Sequence, residues 1–120
     1  QGNSAGRTYK ILGARKSGKK LEDMKIFGRC FEEARAPDSM KYSTKNDIDP
    51  GVEWNSGKER TSCGTFCRDI PGVELAFTLE TTYFGEPGNV VSQEKLVATG
   101  RCFLEGFRKY LIRKGMEKTI

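Results

Sequence analysis

The chain has 120 residues, one domain's worth or part of a larger one, with 36% hydrophobic and 31% charged residues. It can bury a modest core, and no apolar run approaches the roughly 18–20 residues of a membrane span, so no membrane partner is expected. The net charge of +5 comes from basic residues interleaved with acids, as in Lys20-Leu21-Glu22-Asp23 and Lys58-Glu59-Arg60, which argues for solubility rather than a nucleic-acid surface.

Gln1-Gly2-Asn3-Ser4 is polar and no apolar h-region follows, so no signal peptide is expected at this start. Residues 8–13, TYKILG, read as a short strand ended by Gly13. After the ARKSGKK loop, a helix is predicted from about Lys19 to Ala36. Its apolar residues Leu21, Met24, Phe27, Phe31 and Ala34 step by three or four and make one stripe. Ser17 is the expected N-cap and Pro37 the stop. Residues 37–51 read as loop, with a brief strand near Met40 to Tyr42, and a short helix is predicted near Cys63 to Asp69.

Pro71-Gly72 is a turn. Val73, Leu75, Phe77 and Leu79 then alternate with Glu74, Ala76, Thr78 and Glu80. Period two is the signature of a strand with unlike faces, one apolar, the other small or polar and ending on Glu80. Gly85-Glu86-Pro87-Gly88 reads as loop. The last helix is predicted from about Ser92 to Lys114, with Leu96, Gly100, Phe103, Leu104, Phe107 and Leu111 as its buried stripe. Arg108, Lys109, Arg113 and Lys114 suit its negative C-terminal end, and Gly115 its stop. Strand, helix, loop, strand, helix is an α/β pattern.

Cys30, Cys63, Cys67 and Cys102 permit two disulfides in any of three connectivities. Cys30 and Cys102 fall on apolar helix faces, where buried free cysteine is common, so the redox compartment stays open. Histidine is absent.

Two stretches carry chemistry. Gly13 to Lys20, GARKSGKK, nearly matches the phosphate-binding pattern G-x-x-x-x-G-K-[ST], between a strand and a helix. It fails at Lys20, where a hydroxyl must ligate the magnesium of the nucleotide; nucleotide binding is not expected. The second is AFTLETTYFGEPG, residues 76–88, where an apolar strand ends on a carboxylate. The end of a strand is where an α/β sheet presents groups to a ligand cleft. Glu80 there is a candidate general base, or else a solvated residue at the sheet edge.

The segment GVELAFTLETTYFG, followed by a loop and a long amphipathic helix, resembles the C-terminal end of the zinc carboxypeptidases, the carboxypeptidase A-like metallopeptidases. Phe77-Thr78-Leu79-Glu80 matches the family's F-T-x-E strand. The wording looks closest to the cytosolic-carboxypeptidase and related bacterial branch, and NDIDPGVEWNSG and TSCGTF look like its substrate-pocket loop and short helix. The resemblance spans residues 46–114 well and 1–45 loosely. It implies the C-terminal part of a three-layer α/β/α mixed-sheet fold and the hydrolysis of C-terminal peptide bonds, with a peptide or protein C-terminus as substrate. Glu80 would be the catalytic general base and acid. Zinc would lower the pKa of the attacking water and polarise the carbonyl. The family's zinc ligands, a His-x-x-Glu pair and a later His, precede this region, and this chain has no His. Zinc is therefore expected in a full-length parent, and this chain alone is expected to bind none and to be inactive. Thr78, on the face of Glu80, is placed to line the site; Thr65 would floor the side-chain pocket; Lys58 and Arg60 would favour an acidic C-terminal residue. The family's substrate-covering tyrosine finds no match between Trp54 and Arg60. A non-catalytic peptide- or nucleic-acid-binding module is the alternative, and histidine ligands upstream of Gln1 in the parent gene would discriminate against it.

Overall fold

The computed structural model describes residues 2–3, 9–12, 18–49, 66–67 and 69–115. Helix α1 spans Lys19–Glu33. Its N-cap is Gly18, with no side-chain capping bond; Ser17, the cap expected from the sequence, lies outside the described residues. It ends three residues before the predicted Ala36, with Ala34 as C-cap. Residues ahead of a proline are pushed out of the helical region, and Pro37 sets that boundary. The stripe reads as expected, for Leu21, Met24, Phe27 and Phe31 are all buried.

The chain then doubles back through Met40 and Tyr42, both 1% exposed. A single turn of 3-10 helix, Thr44–Asn46, follows, with the Ser43 hydroxyl accepting from the Lys45 N–H. Tyr42 and Ile48 each make a single β-bridge rather than a strand.

Among the described residues three strands form a small mixed sheet. β1 is Gly2–Asn3, β2 is Tyr9–Leu12 and β3 is Phe77–Thr82, in the order β1-β3-β2. β3 pairs antiparallel with β2, Leu12 opposite Phe77 and Tyr9 opposite Glu80. It pairs parallel with β1, Gly2 opposite Thr81 and Asn3 opposite Thr82. The predicted strand over 73–80 is thus displaced. Among the described residues, 73–76 have no ladder partner, the described part of β2 reaching only to Phe77, and β1 extends the pairing past Glu80. A tight hairpin follows, β4 (Gly85–Glu86) and β5 (Asn89–Val90). Gly85 has φ 82, and a Cβ there would stand 2.1 Å from the Asn89 carbonyl oxygen; no other residue fits.

Helix α2 spans Gln93–Arg113, capped by the Ser92 hydroxyl, which accepts from the Lys95 N–H at 3.1 Å. Its buried residues are Ala98, Thr99, Cys102, Gly106 and Tyr110. Of the stripe read from the sequence, Phe103 and Leu111 pack against the core, whereas Leu104 is 68% and Phe107 41% exposed. The reason is backbone proximity. A Cβ at Gly106 would lie 2.7 Å from the Phe31 Cα, so α1 approaches the small-residue spine of α2 more closely than any leucine face allows. The Thr99 hydroxyl donates to the Lys95 carbonyl and accepts the Met40 N–H at 2.8 Å, so its burial costs little.

The core lies between the helix pair and one face of β3. Phe27 is fully buried, with ring centroids 5.1 Å from Phe77 and 5.2 Å from Phe103. Phe31 stacks on Tyr42 at 4.4 Å, and Phe77 and Leu79 pack against this cluster. The content is mixed α/β, with both helices on the Phe77/Leu79 face of the sheet.

Candidate active site

β3 alternates, so Phe77 and Leu79 turn to the core while Thr78, Glu80 and Thr82 share the opposite face. Glu80 is not the end of the strand, as the sequence suggested, but its fourth residue of six, on the strand paired on both sides. It is 4% exposed. Among the described residues no hydrogen bond or ion pair reaches its carboxylate. Among the described residues the enclosed side-chain atom that lacks a hydrogen-bond partner is the Tyr110 hydroxyl; the Glu80 carboxylate is little exposed but is not one of these.

The same strand fixes what surrounds it. Thr82, also 4% exposed, accepts the Gly85 N–H at 3.1 Å on its hydroxyl and locks the start of the β4–β5 hairpin. The hairpin leaves Tyr83 and Phe84 standing out, 59% and 75% exposed with ring centroids 6.1 Å apart. The chain therefore presents, in five residues, a buried carboxylate and an exposed aromatic pair.

Thr78 is half-buried and lies on the wall of a groove of about 410 Å³ that runs between Phe27, Phe77, Phe103 and Phe107, with Cys67 at its rim. The groove is largely apolar, suited to a side chain or a further layer of protein rather than to an ion. Thr78 and Glu80 are two residues apart on one strand face, about 7 Å between Cα atoms. Lys58 and Thr65 lie outside the described residues, as do Trp54, Arg60 and Cys63. Of the short helix predicted near 63–69, the described residues Phe66, Cys67 and Asp69 are helical.

A second buried carboxylate went unremarked in the sequence. Asp23, 2% exposed, accepts from Lys19 Nζ at 2.7 Å and from Lys114 Nζ at 2.8 Å. Burial alone raises the pKa of such a group, but here the two ammonium hydrogen bonds outweigh it and hold the carboxyl below its usual range. Lys19 is the lysine of the near-match to the phosphate-binding loop. Its ammonium is engaged by Asp23 and stands 3.8 Å from Glu74, which gives it a structural use. The i, i+4 spacing of Lys19 and Asp23 was the signal available in the sequence.

Nearby, the Tyr110 hydroxyl is buried with no hydrogen-bond partner, and burial, with the charge of Asp23, pushes its pKa up to about 12. Tyr42 donates instead to both Asp47 oxygens, at 2.8 and 3.1 Å; burial, then the Asp47 charge, pushes its pKa upward. Cys30 and Cys102 are buried free thiols; burial pushes the Cys30 thiol up, and the Cys102 sulfur accepts the Ala36 N–H at 3.3 Å. Neither has the electropositive, accessible setting of a reactive cysteine.

Among the described residues, no three His, Cys, Asp or Glu side chains gather where they could hold a metal ion, and no helix is long and apolar enough to cross a membrane. Compared with known proteins, the chain matches no family model, and no curated protein or solved structure gives a significant match.

Proposed function

We propose that the chain is the C-terminal portion of a zinc metallocarboxypeptidase and supplies its general base and acid, Glu80. The observation that carries this reading is the carboxylate itself, 4% exposed with no partner among the described residues, within an F-T-x-E strand. A carboxylate held on the polar face of a paired strand is placed to meet a ligand. Its task is proton transfer: Glu80 accepts a proton from the water that attacks the scissile carbonyl and returns it to the departing amine.

The remaining parts fit around it. Thr78 lines the substrate cleft beside Glu80, with Lys58 and Thr65 as further contacts to the substrate's C-terminal residue. The three-layer fold accounts for the large apolar side chains that α2 leaves open, Leu96, Leu104 and Phe107: further strands of a parent sheet would cover them. The zinc belongs to that parent. This chain has no His, and its own share of the chemistry is the proton held and moved by Glu80.

The test is to express the full-length parent and this chain separately and follow release of the C-terminal amino acid from short peptides. The parent should release it and lose that ability with a chelator, and the 120-residue chain should release none. A parent with no peptidase activity, or one indifferent to zinc removal, contradicts the reading.

A further inference from the structure

A second pocket, of about 410 Å³, lies on the far side of α1, against the 3-10 turn. Lys25 and Arg29 line it from α1, Lys45 and Thr44 from the turn, and Asp47 and Asp49 complete it. Lys25 is half-buried, Arg29 and Lys45 exposed. Among the described residues the side chains of these three cations make no hydrogen bond and no ion pair, although two carboxylates share the same wall. Asp47 is drawn instead to the Tyr42 hydroxyl.

The frame around the cations is fixed. The Thr44 hydroxyl donates to Glu32 on α1 at 3.2 Å, the Ser43 hydroxyl caps the turn, and Tyr42, 1% exposed, anchors Asp47. Lys25 and Arg29 stand at i and i+4, neighbours on one helix face, where like charges oppose helix formation. Lys45 adds a third positive charge from across the pocket. An anion seated between them relieves that repulsion. Arginine offers a planar fork and lysine a mobile point charge, the pairing suited to phosphate oxygens.

We infer that this pocket binds a phosphate-bearing small molecule, its phosphate gripped by Lys25, Arg29 and Lys45. The carboxylates of Asp47 and Asp49 on the same wall offset part of the positive charge and oppose a long polyanion such as RNA or an acidic peptide, so a single compact anion held by the three cations is favoured. This site is separate from Glu80 and does not depend on the peptidase reading.

Inorganic phosphate is the probe, titrated into the 120-residue chain at constant ionic strength and followed by calorimetry and by phosphorus-31 line broadening. Saturable one-to-one binding is expected. Arg29→Gln and Lys45→Gln should each weaken it about tenfold or more, as expected for loss of a charge-assisted bond. Lys41→Gln, an exposed lysine outside the pocket, should leave it unchanged. The altered side chains are exposed, and circular dichroism checks that each variant is folded. Non-saturable binding, or equal binding by Arg29→Gln, Lys45→Gln and Lys41→Gln, overturns the proposal. So does tighter binding of a single-stranded RNA or a glutamate-rich peptide that the same two variants abolish, since the site would then be a polyanion surface.

Discussion

Asp23 is the residue whose surroundings state their energetics most directly. Its carboxylate is buried between Lys19 at the start of α1 and Lys114 at the end of α2, so it ties the two helices together. Both lysines keep some access to water, at 70% and 22% exposure, which limits what the pair contributes. Replacing Asp23 with Ala should cost about 2 kcal/mol, the scale of losing charge-assisted hydrogen bonds at a buried site. The pH dependence follows in sign. The folded pKa of Asp23 lies below its unfolded value of about 3.9, so its contribution is present in full above that value. It is lost as pH falls through the lowered folded value. Thermal melts between pH 2 and 7 should show wild-type stability falling on the acid side, with a shallower fall in Asp23→Asn. A variant that melts like wild type at pH 7 would show that Asp23 does not fasten the helices.

For the helices, periodicity located α2 and part of its buried face. Of the apolar stripe Leu96, Gly100, Phe103, Leu104, Phe107 and Leu111, Phe103 and Leu111 pack on the core, while the most buried residues are Ala98, Thr99, Cys102, Gly106 and Tyr110. Hydrophobicity alone predicts the first set, but close helix packing selects small residues wherever backbones approach. Gly106 and Gly100 separate the two effects. A methyl at Gly106 would meet the Phe31 backbone at 2.7 Å, whereas one at Gly100 meets nothing within 4 Å. Gly106→Ala should therefore lose about 1–3 kcal/mol to overpacking, less what helix propensity returns. Gly100→Ala should gain up to about 1 kcal/mol from propensity alone. Urea denaturation of the two variants checks this; equal effects of one sign would mean that α1 and α2 do not touch at Gly106. The sequence also placed β3 four residues early. Its alternation is continuous from Val73 to Glu80, and nothing local reveals that the described part of β2 offers partners only from Phe77 onward. Strand limits are set by the neighbour, and the neighbour is 65 residues away at Leu12.

For the whole molecule, the two helices, the β2 and β3 strands and the polar face bearing Glu80 were legible in the sequence, because each rests on periodicity within one segment. The Lys114 arm of the Asp23 clamp, the Tyr42–Asp47 bond and the joining of Lys45 to Lys25 and Arg29 were not, because each joins residues whose proximity only the fold creates. Thr78 was legible as a neighbour of Glu80, and the structure adds that it also walls the aromatic groove. The central claim is that Glu80 moves a proton in a larger enzyme. Glu80→Gln keeps the shape of the side chain and removes its basicity. The decisive measurement is turnover of a C-terminal peptide by the full-length parent carrying this substitution, read together with its zinc content and melting temperature. The account predicts that kcat falls about 10²–10⁴-fold while metal content, KM and melting temperature hold. Near-normal kcat in the substituted parent would contradict it, and would make Glu80 a structural carboxylate.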